Sequence, residues 1–142
     1  MSKSDALEVA DRLHSAAIRL LRTVRVADDE TGLSAPKLSV LSVLVFGGPK
    51  SLKALAQAEQ VTPATMSKLV SDLESARLLA KRTDYTDRRG VRIEATAEGR
   101  ALFQKARRRR LALLRKRVAK LSAAERERLR DATELILRVA AG

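Results

Sequence analysis

Between Val61 and Arg92 the chain reads VTPATMSKLVSDLESARLLAKRTDYTDRRGVR, with small hydroxyl residues at helical spacing followed by a cluster of arginines. The hydroxyls of Thr62, Thr65, Ser67 and Ser71 can each donate to and accept from phosphate oxygens or base edges, and Lys68 adds a cation. Pro63 and Ala64 add little bulk beside them. A helix presenting this face could lie close against base edges in a major groove. Arg82, Arg88, Arg89 and Arg92 surround a polar loop, where Asp87 can hold a neighbouring guanidinium by a charge-assisted hydrogen bond. A narrow minor groove concentrates negative potential and attracts an arginine carried on such a hairpin. Each half also has an ordinary reading, as a surface helix and a solvated loop. Their adjacency, and the scarcity of long Lys and Glu side chains on the helix's outer face, favour duplex DNA.

These residues need a helix, a tight turn and a hairpin to position them. Thr62 reads as an N-cap with Pro63 at the first helical position, where a missing N–H costs nothing. Met66, Leu69, Val70 and Leu73 form the stripe that buries this helix, which the pattern extends to about Ala76. Ser51 caps a shorter helix to about Glu59, with Leu52, Leu55 and Ala56 inward, so the two form a helix-turn-helix. Leu78–Arg82 and Val91–Ala95 are predicted strands on either side of the loop.

Upstream, the spacing predicts a helix from Asp5 to about Val26, capped by Ser4 or Asp5 and ended by Asp28–Gly32. A second is predicted from Ser34 to Phe46, with Pro36 in its first turn, broken by Gly47-Gly48-Pro49. Downstream, Thr96 caps a long helix from Ala97 to about Lys120 that tolerates Gly99. Ser122 with Glu125 matches a capping box and opens a last helix ending near Val139.

The chain has 142 residues, 45% hydrophobic but 2% aromatic, and a formal charge of +12. Ala, Leu and Val must therefore supply a helical core, and the surface favours polyanions. With no cysteine and one histidine, and with no Gly-rich phosphate loop or paired carboxylates, the sequence offers no catalytic residue, no metal site and no cofactor site. No apolar run is long enough to span a bilayer and the N-terminus lacks a signal-peptide core, so the expected compartment is the cytoplasm, with no membrane partner.

VTPATMSKLVSDLE, then Leu78-Leu79 and Arg82, then DRRGVRIEATAEG, resembles the MarR (multiple antibiotic resistance regulator) family of winged-helix transcription factors. The family's Asp-X-Arg wing motif falls on Asp87 and Arg89, and its Thr-X-X-Gly on Thr96 and Gly99. Element order and length match over the whole chain, while the specific motifs lie in 51–99. Three positions depart from the family pattern. Gln60 and Arg77 stand where glycine is frequent, at points that tend toward left-handed backbone, and Ala95 stands where leucine is usual.

The resemblance implies a mainly α fold with a small β-hairpin wing. Residues 1–32 would be an N-terminal dimerisation helix, 33–96 a winged helix-turn-helix DNA-binding domain, and 97–142 C-terminal dimerisation helices. It implies a sequence-specific DNA-binding transcriptional regulator, a repressor acting as a homodimer on a pseudo-palindromic operator in the bacterial or archaeal nucleoid. A small aromatic or anionic effector would release it. The competing reading is a non-specific architectural DNA-binding protein. Expected DNA contacts are Thr62, Pro63, Ala64, Thr65, Ser67, Lys68 and Ser71 on the recognition helix, and Asp87, Arg88, Arg89 and Arg92 on the wing. Lys37, Ser51, Lys53 and Arg82 are expected at the DNA backbone.

Leu111, Leu114, Val118, Leu121, Leu129, Ile136, Leu137 and Val139 offer more apolar surface than two isolated helices can bury, in keeping with a dimer. No ligand residue is assigned. His14, Arg19, Arg22 and Arg25 read better as surface and interface groups than as an anion site. With Phe46, Tyr85 and Phe103 the only aromatics, an aromatic-lined pocket is hard to build. Arg107–Arg110 and Arg115–Arg117 read as a solvated face whose positive field steers the protein onto DNA.

Overall fold

Hydroxyl caps set where most of the helices begin. In the computed structural model, which describes residues 2–83 and 90–142, Ser2, Ser51, Thr62, Thr96 and Ser122 each have extended backbone and accept a hydrogen bond from the amide three residues on. Such a cap satisfies an otherwise orphaned N–H, worth about 1 kcal/mol. The helices are α1 (Lys3–Arg25), α2 (Ala35–Gly47), α3 (Leu52–Glu59), α4 (Pro63–Ser75), α5 (Ala97–Val118) and α6 (Ala123–Ala141), with strands β1 (Leu79–Thr83) and β2 (Val91–Ala95) between α4 and α5. The mainly α architecture with a β-hairpin is the one expected.

Two boundaries at the N-terminus differ from expectation. The cap of α1 is Ser2, not Ser4 or Asp5, because Ser2 Oγ lies 3.3 Å from the Asp5 amide and 2.7 Å from Ser4 Oγ. The acidic run does not simply end the helix. It continues as a 3-10 helix, Val26–Thr31, until Gly32 turns left-handed at φ 71°. Asp28 in this segment is only 5% exposed. Arg110 of α5 reaches it with both Nε and Nη2, the Nε–Oδ1 distance being 2.7 Å.

The core sits where α2, α3, α4 and the hairpin meet. Val40, Leu41, Leu44, Leu55, Met66, Val70 and Leu73 are fully buried, and Leu79, Ile93 and Phe103 close the cluster. The apolar stripe predicted for α4 is the one that enters it, with Leu69 at the margin.

β1 and β2 pair antiparallel, Leu79 opposite Ala95 and Thr83 opposite Val91. β1 begins one residue later than predicted because the Leu78 amide is used elsewhere. It bonds to Leu73 O at 2.9 Å while Arg77 N bonds to Glu74 O at 2.9 Å, the paired closure that ends a helix through a left-handed residue. Arg77 has φ 63°. The turn after α3 closes in the same way, Val61 N to Ala56 O at 3.0 Å and Gln60 N to Gln57 O at 3.2 Å, with Gln60 at φ 57°. Among the described residues these are the two non-glycine positions with positive φ. The family's glycine positions therefore keep their backbone shape here, and the side chains bear the strain.

α5 enters the core at its start. A Cβ on Gly99 would lie 2.1 Å from the Leu78 carbonyl oxygen, so this position requires glycine for close approach. Further along, the arginine run is largely engaged within the chain and is not a plain solvated face. Arg110 holds Asp28, Arg109 lies 3.1 Å from Glu30, and Arg107 lies over the Phe46 ring at 6.0 Å. α6 buries no residue. Leu135, Leu137 and Val139 on α6, and Leu7, Val9, Leu20 and Leu21 on α1, stay more than half exposed.

Candidate nucleic-acid interface

α3 and α4 are joined by the left-handed turn at Gln60, and Thr62 opens α4 with Pro63 at its first position. All seven residues assigned to the recognition helix are exposed on one side of α4, while Met66, Val70 and Leu73 anchor the other. They are not equally available. Thr62 Oγ1 accepts from the Thr65 amide at 3.2 Å and donates to Thr65 Oγ1 at 3.0 Å, so both threonines serve the cap first. Ser67, Lys68 and Ser71 have no side-chain partner among the described residues. Ser67 and Ser71 stand one helical turn apart, and Ser67 lines a small groove with Lys81, Val91 and Ile93 of the hairpin. That row leaves two hydroxyls and one ammonium available on the exposed side of α4.

The backbone set is arranged differently from a row of free cations. Lys37 Nζ lies 3.7 Å from Asp72 on α4, and Arg82 lies 3.0 Å from Glu94 on β2. Ser51 Oγ is occupied by the Ala54 amide at 3.1 Å. Lys53 is exposed, without a partner among the described residues. Exposed ion pairs of this kind are worth about 0–1 kcal/mol, so a phosphate can replace the carboxylate at little cost. Asp72 and Glu94 thus hold their cations in place without locking them.

Arg92 is half-buried on β2 directly opposite Arg82. Asp87, Arg88 and Arg89 lie outside the described residues, and so does Tyr85. The strands that carry this loop end at Thr83 and resume at Val91.

Sequence reading missed Lys50, which forms a β-bridge to Ile93 through hydrogen bonds of 3.0 and 2.8 Å and ties the start of α3 to the hairpin. Its only local signal is the extended stretch imposed by Pro49. Also missed was the link from Thr96 Oγ1 to Arg77 O at 2.7 Å, which fixes the end of α4 to the start of α5.

Behind the helix-turn-helix lies a cleft of about 410 Å³ between α1, α2 and α5. Leu21, Val24, Leu38, Phe46, Phe103 and Ala106 give it an apolar wall, and Arg25, Arg107, Arg110, Ser39 and Ser42 give it polar groups. Phe46 and Phe103 meet edge to face there, with centroids 5.4 Å apart and an interplanar angle of 87°. Few aromatics therefore did not preclude an aromatic wall, because the fold brings two of the three together. Of the cationic candidates on α1, Arg25 lines the cleft and His14, Arg19 and Arg22 do not. The hydrogen bonds that Arg110 donates to Asp28 raise its pKa further, so its guanidinium stays charged. Ser39 Oγ donates toward both carboxylate oxygens of Glu59, at 2.8 and 2.7 Å.

Among the described residues, no group of three or more His, Asp or Glu could hold a metal ion, and no helix is long and apolar enough to cross a membrane.

A helix-turn-helix followed by a two-stranded hairpin, with long helices on either side, defines a winged helix-turn-helix protein. The MarR family profile matches residues 31–90. An HTH-type transcriptional regulator of Mycobacterium tuberculosis is 33% identical over 137 residues, covering 96% of this chain and 95% of that protein. The chain belongs to the MarR family of DNA-binding transcriptional regulators. Two solved structures share its fold. A MarR family protein from Bacillus stearothermophilus is 18% identical with a TM-score of 0.88, covering 100% of this chain and 99% of that one. NadR in complex with 4-hydroxyphenylacetate is 19% identical with a TM-score of 0.73, covering 93% and 92% respectively.

Proposed function

We propose that this protein is a sequence-specific repressor that acts as a homodimer on a pseudo-palindromic operator and is released by a small anionic aromatic ligand. The observation that carries the reading is the exposed row Ser67, Lys68 and Ser71, without side-chain partners among the described residues, on a helix whose opposite face is locked in the core. Free hydroxyl donors on a rigid helix suit base readout, whereas a purely architectural binder needs only cations at phosphates. Arg89 and Arg88 would place the wing in the flanking minor groove, with Asp87 orienting them. Lys37, Lys53 and Arg82 would meet the phosphates.

The unburied apolar faces of α1 and α6 support the dimer. Side chains of this size gain about 1.5–3 kcal/mol each when fully buried, and a second copy supplies the same faces in return. Two-fold symmetry would set two copies of α4 about one helical turn apart on DNA. Repression is the simplest consequence, since a dimer seated on a promoter excludes other proteins from it. For the ligand, the cleft joins an apolar, aromatic wall to three arginines, which suits an aromatic carboxylate. The 4-hydroxyphenylacetate held by NadR, a protein of like fold, is of that class.

Selection of bound sequences from a random duplex library tests the reading directly. Recovery of a two-fold symmetric site is expected. Equal affinity for palindromic and scrambled duplexes would establish the architectural alternative instead.

A further inference from the structure

Most of the net positive charge of this chain lies outside the helix-turn-helix and hairpin. Fourteen of the 29 Lys and Arg lie in 97–142 against five Asp and Glu, leaving that segment +9 of the total +12. Arg107, Arg109 and Arg110 have internal roles, but Arg115, Lys116, Arg117 and Lys120 at the far end of α5 are exposed and have no side-chain partner among the described residues. Lys116, Arg117 and Lys120 line an open groove of about 790 Å³ together with Ala27, Leu113 and the Glu30–Arg109 ion pair.

Distance separates this cluster from the recognition helix. Thr96 caps α5 beside the end of α4, and a rise of about 1.5 Å per residue puts the end of α5 at Val118, two residues before Lys120, roughly 33 Å away along the helix. That is more than three Debye lengths at about 0.1 M salt, so the cluster neither touches nor steers a duplex seated on α4. The helices with unburied apolar faces, which a second copy would bring, carry no excess of negative charge. α1 carries five cations against three carboxylates, and α6 carries four of each. The densest acidic run, Asp28–Glu30, has already given Asp28 to Arg110 and Glu30 to Arg109, leaving one exposed carboxylate, Asp29, against the four cations.

We propose that Arg115, Lys116, Arg117 and Lys120 form a second polyanion site, which takes the phosphate backbone of a separate DNA segment and lets the protein bridge two duplexes. The choice of DNA rests on the DNA-binding reading above, since a protein held on one duplex always has more of the same polyanion within reach. An anionic membrane fits less well. Interfacial binding needs a row of large apolar side chains on the basic face, and here Leu111 is the one large apolar side chain on α5 that is exposed, at 45%, while Leu113 and Leu114 are half-buried and Ala112 and Ala119 are small.

The test is a sandwich assay with a biotinylated duplex carrying the selected site and a fluorescent duplex of unrelated sequence. It compares the wild type with the variant Arg115→Gln, Lys116→Gln, Arg117→Gln, Lys120→Gln. The wild type should capture the fluorescent duplex with a salt slope that includes about 0.9 per phosphate contact. The variant should lose that capture while keeping its affinity and salt slope on the single site. Equal capture by both proteins, or none by the wild type with site binding intact, overturns the bridge. Vesicles of phosphatidylglycerol bound by the wild type and released by the variant, without duplex capture, overturn it in favour of a lipid surface. Capture that persists while site and scrambled duplexes bind alike overturns sequence specificity and supports the bridge.

Discussion

Thr96 donates its hydroxyl proton to the Arg77 carbonyl oxygen at 2.7 Å while accepting from the Gly99 amide at 3.0 Å. One side chain thus caps α5 and clamps the turn that ends α4, so the recognition helix takes its orientation from the long helix behind it. Gly99 completes the joint by letting α5 approach the Leu78 carbonyl. Replacing Gly99 by Ala should cost about 2–4 kcal/mol through backbone displacement, and Thr96→Ala about 1–2 kcal/mol through the lost cap and bond. Denaturant titration monitored by circular dichroism measures both.

Gln60 and Arg77 hold left-handed backbone without being glycine. Gln60→Gly and Arg77→Gly should each stabilise the fold by about 0.5–1 kcal/mol, since the steric cost exceeds the added chain entropy. The two turns share no hydrogen-bond partner, so the gains should add in the double variant. Destabilisation by either change would show that its side chain makes a compensating contact.

Charge at the last helix gives a pH signature. The Ser122 backbone N–H and hydroxyl hold the Glu125 carboxylate below its ordinary pKa, completing the capping box. A carboxylate depressed on folding contributes stability that is present above its unfolded pKa and is lost as pH falls through its folded one. Acidification below the carboxylate range should therefore fray α6, and Glu125→Gln should remove that part of the pH dependence. The check is helicity measured against pH for the two proteins.

On DNA, the residues divide by what they can read. Ser67→Ala or Lys68→Ala should cost about 1–3 kcal/mol and relax specificity at one base position. Lys53→Ala should weaken all duplexes alike and lower the salt slope by about 0.9. Arg89→Ala should reduce preference for A·T pairs in the flanks. Gel shifts on the selected site and on single-base variants separate the three behaviours.

Leu137 and Val139 are 63% and 68% exposed on a helix that buries nothing. If a second copy covers them, Leu137→Glu should produce monomers at micromolar concentration and abolish high-affinity operator binding. Light scattering reads the first result and titration with the duplex the second. A wild type that is already monomeric removes the dimer from the proposal.

Most of the fold was legible because its signals are local. Ser51, Thr62, Thr96 and Ser122 announce their helices within three residues, and the Met66, Val70, Leu73 stripe names the buried side of α4 without knowledge of its neighbours. What escaped reading depends on partners distant in sequence. Arg110 looks like one of four solvated arginines until Asp28, eighty-two positions upstream, is placed beside it. Phe46 and Phe103 look like isolated aromatics until α2 and α5 cross. Lys37 looks free until Asp72 faces it. The wing residues 87–89 were read from the arginine cluster around the polar loop, with the family motif added on Asp87 and Arg89; they lie outside the described residues, where the strands pair Thr83 with Val91.

The Ser39 hydroxyl belongs to the wall of the cleft, yet it is held by Glu59, the last residue of α3 and the neighbour of the Gln60 turn. Under the ligand reading, a molecule that captures Ser39 must loosen Glu59, and with it the turn that aims α4. Thermodynamic linkage makes this exchange reciprocal. DNA that steadies the turn tightens Glu59 on Ser39 and weakens the cleft for its ligand by the same factor. The operator would then act as an antagonist of the inducer, so the inducer concentration needed in a cell would rise with the number and quality of occupied sites.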